Sequence, residues 1–101
     1  MGKVNIELPN EKIAEFCKRN HIRKLSLFGS VLRSDFGPGS DIDFLVEFDP
    51  NYIPGFFKFA HMERELSELI GKRVDLRTPQ ELSRYFRDKV LSEAVVQYAE
   101  G

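Results

Sequence analysis

The sequence predicts an α/β fold of the α+β kind, a small mixed β-sheet flanked by helices chiefly on one face. Three observations carry that reading. Apolar residues recur at three- and four-residue steps in two stretches, 10–20 and 56–70, the period of a helix with one buried side. They alternate with other residues in Asp41–Phe48 and again in Arg73–Arg77, the period of a strand. Glycine and proline punctuate the chain between these stretches.

With 101 residues the chain is expected to form one domain spanning 1–101. A chain of that size buries roughly 60–65% of its unfolded surface and needs no staple. Nine Phe and three Tyr give it too much to bury for disorder. The formal net charge of -1 argues against a dedicated nucleic-acid binder, which carries a basic excess, but leaves room for a nucleotide held at a local site. Cys17 is the only cysteine, so no intrachain disulfide forms and a reducing, cytoplasmic compartment is expected. Its plain reading is a small buried apolar residue. No segment approaches the roughly 18 apolar residues of a membrane helix. The opening MGKVNIELPN lacks the apolar core of a signal peptide.

Taken in order, Pro9-Asn10 opens the first helix, with Asn10 able to cap it and Ile13, Ala14, Phe16 and Cys17 as its apolar stripe. It ends near Asn20-His21. KLSLF follows as a short strand, Leu25 and Leu27 alternating with Ser26. Gly29-Ser30 stops it, and VLRSDF has room for one or two helical turns before Gly37-Pro38-Gly39. Along Asp41–Phe48, Ile42, Phe44, Val46 and Phe48 share one face, while Asp41, Asp43, Leu45 and Glu47 share the other. A loop with Pro50 and Pro54-Gly55 leads to a helix carrying Phe59, Met62, Leu66, Leu69 and Ile70, stopped by Gly71. RVDLR is the third strand, with Val74 and Leu76 opposite Asp75. Thr78-Pro79-Gln80-Glu81 reads as a capping box with proline at the first helical position, opening a helix with Leu82, Phe86, Val90 and Leu91. AVVQY suits a final edge strand.

Two neighbouring features carry chemistry. At Gly29-Ser30 a strand turns into a helix. Glycine there lets a ligand approach the backbone, and the opening amides with the Ser30 hydroxyl suit an anion such as phosphate. By itself such a turn is commonly just a turn. At Asp41-Ile42-Asp43 the two-residue period puts both carboxylates on one face, about 6–7 Å apart. Like charges so placed repel unless a cation lies between them, and carboxylate oxygens suit Mg²⁺. The plain alternative is a turn cap followed by a solvated strand end. Asp75 favours the functional reading. Strands joined by one helix are usually neighbours, which puts Asp75 beside the pair. Three carboxylates on one face can hold two metal ions about 3.5–4 Å apart. Glu47 lies roughly 13 Å along the strand from Asp43, too far to join them.

The run LFGSVLRSDFGPGSDIDFLVEF resembles the signature of the nucleotidyltransferase superfamily related to DNA polymerase β: Gly-Ser, about ten residues, then Asp-x-Asp. Ser40-Asp41-Ile42-Asp43-Phe44-Leu45-Val46 is similar to the minimal group called MNT, and Val74-Asp75-Leu76 matches the strand bearing that group's third carboxylate. The resemblance spans Leu25 to Tyr98. One departure is Gly-Ser-Val-Leu-Arg-Ser where the group commonly has Gly-Ser-x-Ala-Arg-Gly, so Leu32 and Ser34 replace small residues while Arg33 is kept.

The resemblance implies a polymerase β-like nucleotidyltransferase fold and transfer of a nucleoside monophosphate to a hydroxyl. By position, Gly29 and Ser30 would hold phosphates of ATP, with Ser40 in the same phosphate-binding group. Asp41, Asp43 and Asp75 would be both the catalytic residues and the ligands of two Mg²⁺ ions. Arg33 suits a phosphate contact or a solvated helix position. Standalone MNT proteins resemble the antitoxin half of toxin–antitoxin modules, which implies a HEPN-type toxin as partner and AMP transfer to its tyrosine. No membrane and no nucleic acid are expected as main partners. A short chain with a nucleotide site leaves little room for an acceptor, so the acceptor is expected on another protein. Alternatives are a non-catalytic antitoxin acting by complex formation and a small-molecule, aminoglycoside-type nucleotidyltransferase. Tyr52, Phe56, Phe57 and Phe59 beside a Pro/Gly loop suit a docking patch or core packing, with core favoured for Phe59. His61 reads as an ordinary helix residue.

Overall fold

A computed structural model describes residues 6–33 and 36–100 of the chain. Helix α1 (Asn10–Arg19) leads into strand β1 (Ile22–Phe28), then strand β2 (Ile42–Phe48), helix α2 (Phe56–Ile70), strand β3 (Val74–Arg77), helix α3 (Arg87–Glu93) and strand β4 (Val95–Ala99). Short 3-10 turns occupy Gly29–Leu32, Pro50–Tyr52 and Pro79–Glu81. The sheet order is β3-β2-β1-β4. β1 runs antiparallel to β2 and β4, while β2 and β3 are parallel, so the sheet is mixed as expected.

One face of the sheet forms the core. Leu25 and Leu27 of β1, Ile42, Phe44 and Val46 of β2, and Val74 and Leu76 of β3 are buried there. They pack with Ile13, Phe16 and Cys17 of α1 and with Met62 and Leu66 of α2. Each such side chain contributes about 1.5–3 kcal/mol when fully withdrawn from water. The helical spacing that predicted α1 and α2 is the spacing that brings these residues onto the sheet. Cys17 is buried among them, and that burial pushes its thiol up to about 12.

Helix α2 also completes the outer edge of β3. The Glu63 carboxylate accepts from the Leu76 amide at 2.8 Å, and the Ser67 hydroxyl accepts from the Val74 amide at 3.0 Å. Ser67 Oγ in turn donates to the Glu63 carbonyl at 2.9 Å. An edge strand otherwise presents unpaired amides. Here two side chains grip the backbone on either side of Asp75.

Several sequence expectations are corrected. Asn10 is the first helical residue, not a cap; Pro9 precedes it, and among the described residues no side chain caps this helix. Gly71 does terminate α2, in the left-handed region at φ 82°. The Thr78–Glu81 box forms, with Glu81 Oε1 accepting from the Thr78 amide at 2.9 Å, but it opens only a 3-10 turn. Three competing bonds end that turn. Arg87 Nη2 donates to the Gln80 and Leu82 carbonyls, and Ser83 Oγ accepts from the Tyr85 amide. Helix α3 therefore starts only at Arg87, and Phe86 and Leu91 remain exposed. The expected turns in VLRSDF shorten to Gly29–Leu32, and Ser34 and Asp35 lie outside the described residues.

The second sheet face is less polar than alternation suggested. Ser26 and Leu45, direct partners across β1 and β2, are both buried. Residues 79–95 flank this region, bordering clefts with Phe28 and Asp43 at one end and Lys24 and Glu47 at the other. Of the aromatic cluster, Phe59 packs edge-on to Phe48 against the core. Tyr52 stacks on His21 at 3.8 Å, and Phe56 and Phe57 stand exposed at 80% and 86%. The cluster thus divides into one core member and an open patch.

Candidate active site

The site gathers where β1 ends, β2 begins and β3 runs alongside. Extended Phe28 gives way to Gly29 at φ 76°, a conformation that only glycine adopts freely. A Cβ on Gly29 would overlap Asp43 Oδ2 and lie 3.2 Å from Asp43 Cγ. Glycine therefore serves here to let the Asp43 carboxylate lie directly against the turn. The Ser30 amide donates to that carboxylate, and the Ser30 hydroxyl donates to the Asp41 carbonyl at 3.2 Å. Both Ser30 donors are thus engaged with the acidic segment, so the turn clamps the carboxylates in addition to any anion role.

Asp43 is half-buried and pairs in register with Phe28 on β1 and with Asp75 on β3. The sequence expectation that Asp75 lands beside the Asp41/Asp43 pair is met for Asp43 by the parallel register. Asp41 lies just before β2 and is exposed. Burial raises the Asp43 pKa from its ordinary value, and the charges of Asp75 and Asp41 add to that rise. The Ser30 amide and the Arg33 charge pull it down. Arg33 is exposed but close enough for its charge to reach Asp43. Asp75 Oδ2 accepts from Arg77 Nη2 at 3.2 Å, and Arg77 Nη1 lies 3.8 Å from Glu81 Oε2. Ser40 closes its own turn: its hydroxyl accepts from the Gly37 amide at 3.2 Å, and its amide donates to the Gly37 carbonyl at 3.0 Å. The hydroxyl proton of Ser40 is not used in that bond.

The donor chemistry fits a magnesium ion. The three carboxylates are oxygen acceptors, and their negative charge is concentrated enough to perturb Asp43. Among the described residues no three His, Cys, Asp or Glu side chains close on one point as a finished metal cage.

A cleft of about 1120 Å³ opens from this centre. Gly29, Leu32, Arg33 and Asp43 form one wall, and Lys89, Val90, Ser92 and Glu93 of α3 stand on the other. Its size is sufficient for a nucleotide. The α3 wall was not legible in the sequence, because Lys89 and Asp43 are far apart along the chain and only the β1–β4 pairing draws α3 to this end. Glu63 and Ser67 were also missed. The available signal was two polar residues among the inward positions Met62, Leu66 and Ile70 of α2.

A family model described as nucleotidyltransferase domain matches residues 10–97. The chain belongs to the nucleotidyltransferase family. The match includes both site walls and all three carboxylates, and it identifies the chain as an enzyme of that class. The protein adenylyltransferase MntA of Thermococcus cleftensis is 37% identical over 81 residues, covering 80% of each chain. A Methanocaldococcus jannaschii protein, provisionally named a protein adenylyltransferase, is 33% identical over 92 residues, covering 91% of this chain and 97% of that one. The fold is also that of a solved toxin–antitoxin complex with AMP-PNP, at a TM-score of 0.74 and 20% identity over 92% of this chain and 75% of that one. Among the described residues of this nucleotidyltransferase, no helix is long and apolar enough to cross a membrane.

Proposed function

We propose that this nucleotidyltransferase is a cytoplasmic antitoxin that transfers AMP from ATP onto a tyrosine hydroxyl of a partner HEPN-type toxin and so silences it. The observation that carries the reading is the pairing of Asp43 with Asp75 across β2 and β3, with Asp41 two residues earlier and the Gly29 turn beneath. The names of its relatives, protein adenylyltransferases, and the toxin–antitoxin complexes that share its fold supply the acceptor class. The whole chain is read as one such catalytic unit.

In this reading Asp41, Asp43 and Asp75 would hold two Mg²⁺ ions. Magnesium bound there would neutralise phosphate charge and make the acceptor hydroxyl more acidic. Gly29 and Ser30 form the floor under the triphosphate. Arg33 supports its charge from the rim, and the hydroxyl proton of Ser40, unused in the bond to the Gly37 amide, is directed to a phosphate oxygen. The acceptor oxygen forms a bond to the α-phosphorus as the bond to the β-phosphate oxygen breaks. Pyrophosphate leaves, and Asp75 receives the hydroxyl proton.

The test is transfer of label from α-labelled ATP to a co-purified partner, with and without EDTA. Labelling that depends on divalent metal and vanishes in an Asp41→Ala/Asp43→Ala double variant supports the reading. Equal labelling by wild type and double variant sinks it. Protection of cells by the unlabelling double variant would instead favour neutralisation by complex formation alone.

A further inference from the structure

We propose that α3 is the second wall of the nucleotide site and that Lys89 binds the triphosphate. The inference deepens the nucleotide reading given above and rests on it. Four observations converge. First, the cleft that contains Gly29, Arg33 and Asp43 is bounded on its far side by Lys89, Val90, Ser92 and Glu93. Second, both donors of Ser30 are already bonded to the acidic segment, the amide to the Asp43 carboxylate and the hydroxyl to the Asp41 carbonyl. The turn alone therefore offers a triphosphate little beyond its shape, and any positive charge that the chain itself adds beside the metal site must come from side chains. Third, among the described residues the cations that line this cleft are Arg33 and Lys89, one on each wall. A triphosphate carries several negative charges, and ammonium groups bind such anions through charge-assisted hydrogen bonds.

Fourth, α3 is held firmly in place. Arg87 donates to the Leu82 carbonyl at 2.8 Å and to the Gln80 carbonyl at 3.3 Å, fixing the start of the helix. Its end runs through Ala94, whose amide donates to the Val90 carbonyl at 2.9 Å, directly into β4. β4 pairs with β1, and its Val95 lies opposite Leu27, two residues before Gly29. Lys89 thus projects from an element tied at one end to the 79–82 turn and at the other to the strand that ends in the glycine turn. Lys89 is exposed, and no ion pair holds its ammonium among the described residues. Val90 and Leu32 give the same cleft an apolar flank suited to a base or ribose.

The experiment is calorimetric titration of the full chain with AMP-PNP and, separately, with AMP, in magnesium buffer. Lys89→Ala is expected to weaken AMP-PNP about tenfold, the effect of losing one charged hydrogen bond. AMP is expected to change less than about twofold, since it lacks the β- and γ-phosphates. Lys89→Arg, which keeps the charge, is expected to bind AMP-PNP within about threefold of wild type. Circular dichroism melting of each variant checks that the fold is retained. Unchanged AMP-PNP affinity in Lys89→Ala overturns the proposal, as does equal weakening of AMP and AMP-PNP. Failure of the wild-type chain to bind AMP-PNP would overturn the nucleotide reading itself, a result distinct from either.

Discussion

Asp43 and Asp75 occupy directly paired positions on the parallel strands β2 and β3, and the charge of Asp75 helps raise the pKa of Asp43. The two acids are brought together by backbone register. Their cost to the fold and their use in chemistry both follow from that closeness.

The first prediction concerns that cost. An acid whose pKa is raised by folding binds protons more readily in the folded state. The stability it contributes is then present at low pH and is lost as pH rises from the ordinary carboxylate range through the raised value of Asp43. At neutral pH and in EDTA, Asp43→Asn removes the charge while keeping an acceptor for the Ser30 amide. Its melting temperature should exceed that of wild type by a few degrees, while in magnesium buffer the proposed AMP transfer should fall by about three orders of magnitude or more. A lower melting temperature would show that Asp43 is not under electrostatic strain.

Gly29→Ala tests the turn. Alanine at φ 76° costs on the order of 1–2 kcal/mol, and its Cβ must displace the Asp43 carboxylate. Because a side chain end can swing away, the fold should survive with a modest loss in urea midpoint. Transferase activity should drop about a hundredfold or more, since the displaced group is a proposed metal ligand. Activity within threefold of wild type would contradict the close approach.

Glu63→Ala should act at a distance. It leaves the Leu76 amide, part-buried on an edge strand, without its acceptor. A destabilisation of about 1–3 kcal/mol by urea titration is expected. Glu63→Gln, which keeps an oxygen acceptor, should recover most of it. Equal losses in the two variants would argue that the carboxylate matters for something other than gripping β3.

Cys17 provides a probe of global opening. Its thiol is buried and pushed up to about 12, so little thiolate exists at pH 8. Reaction with a disulfide reagent should be slow in the native protein and become fast across the urea unfolding transition. Rapid native labelling would show that the α1 packing opens locally.

The exposed aromatics should contribute little to the isolated fold. A Phe56→Ser/Phe57→Ser double variant should keep its urea midpoint within about 1 kcal/mol of wild type. Phe44→Ala, which empties a fully buried position, should cost about 3–5 kcal/mol. A large loss in the double variant would place the patch in the packing after all.

Much of this was legible in the residues themselves. Local periodicity located α1, β1, β2, α2 and β3, β-branched composition pointed to β4, and Gly71 marked the end of α2, because these choices depend on neighbours a few residues away. The spacing of Gly29, Ser30, Asp41 and Asp43, with Asp75 later, named the acidic centre and the family class. Where local signals competed, the sequence misled. The Thr78–Glu81 box looked like the start of a helix, but the guanidinium of Arg87 took the carbonyls that would have continued it.

Three matters were decided only by tertiary structure. Parallel pairing set Asp43 beside Asp75, where one residue of slip would have sent them to opposite faces. The edge of β3 was completed by Glu63 and Ser67, whose reach depends on how α2 lies against the sheet. Lys89 came to the cleft because β4 pairs with β1. Sequence alone determined which residues could do the chemistry, since residue type and local period are written in it. Their distances from one another come from long-range register and packing, which no short window of sequence contains.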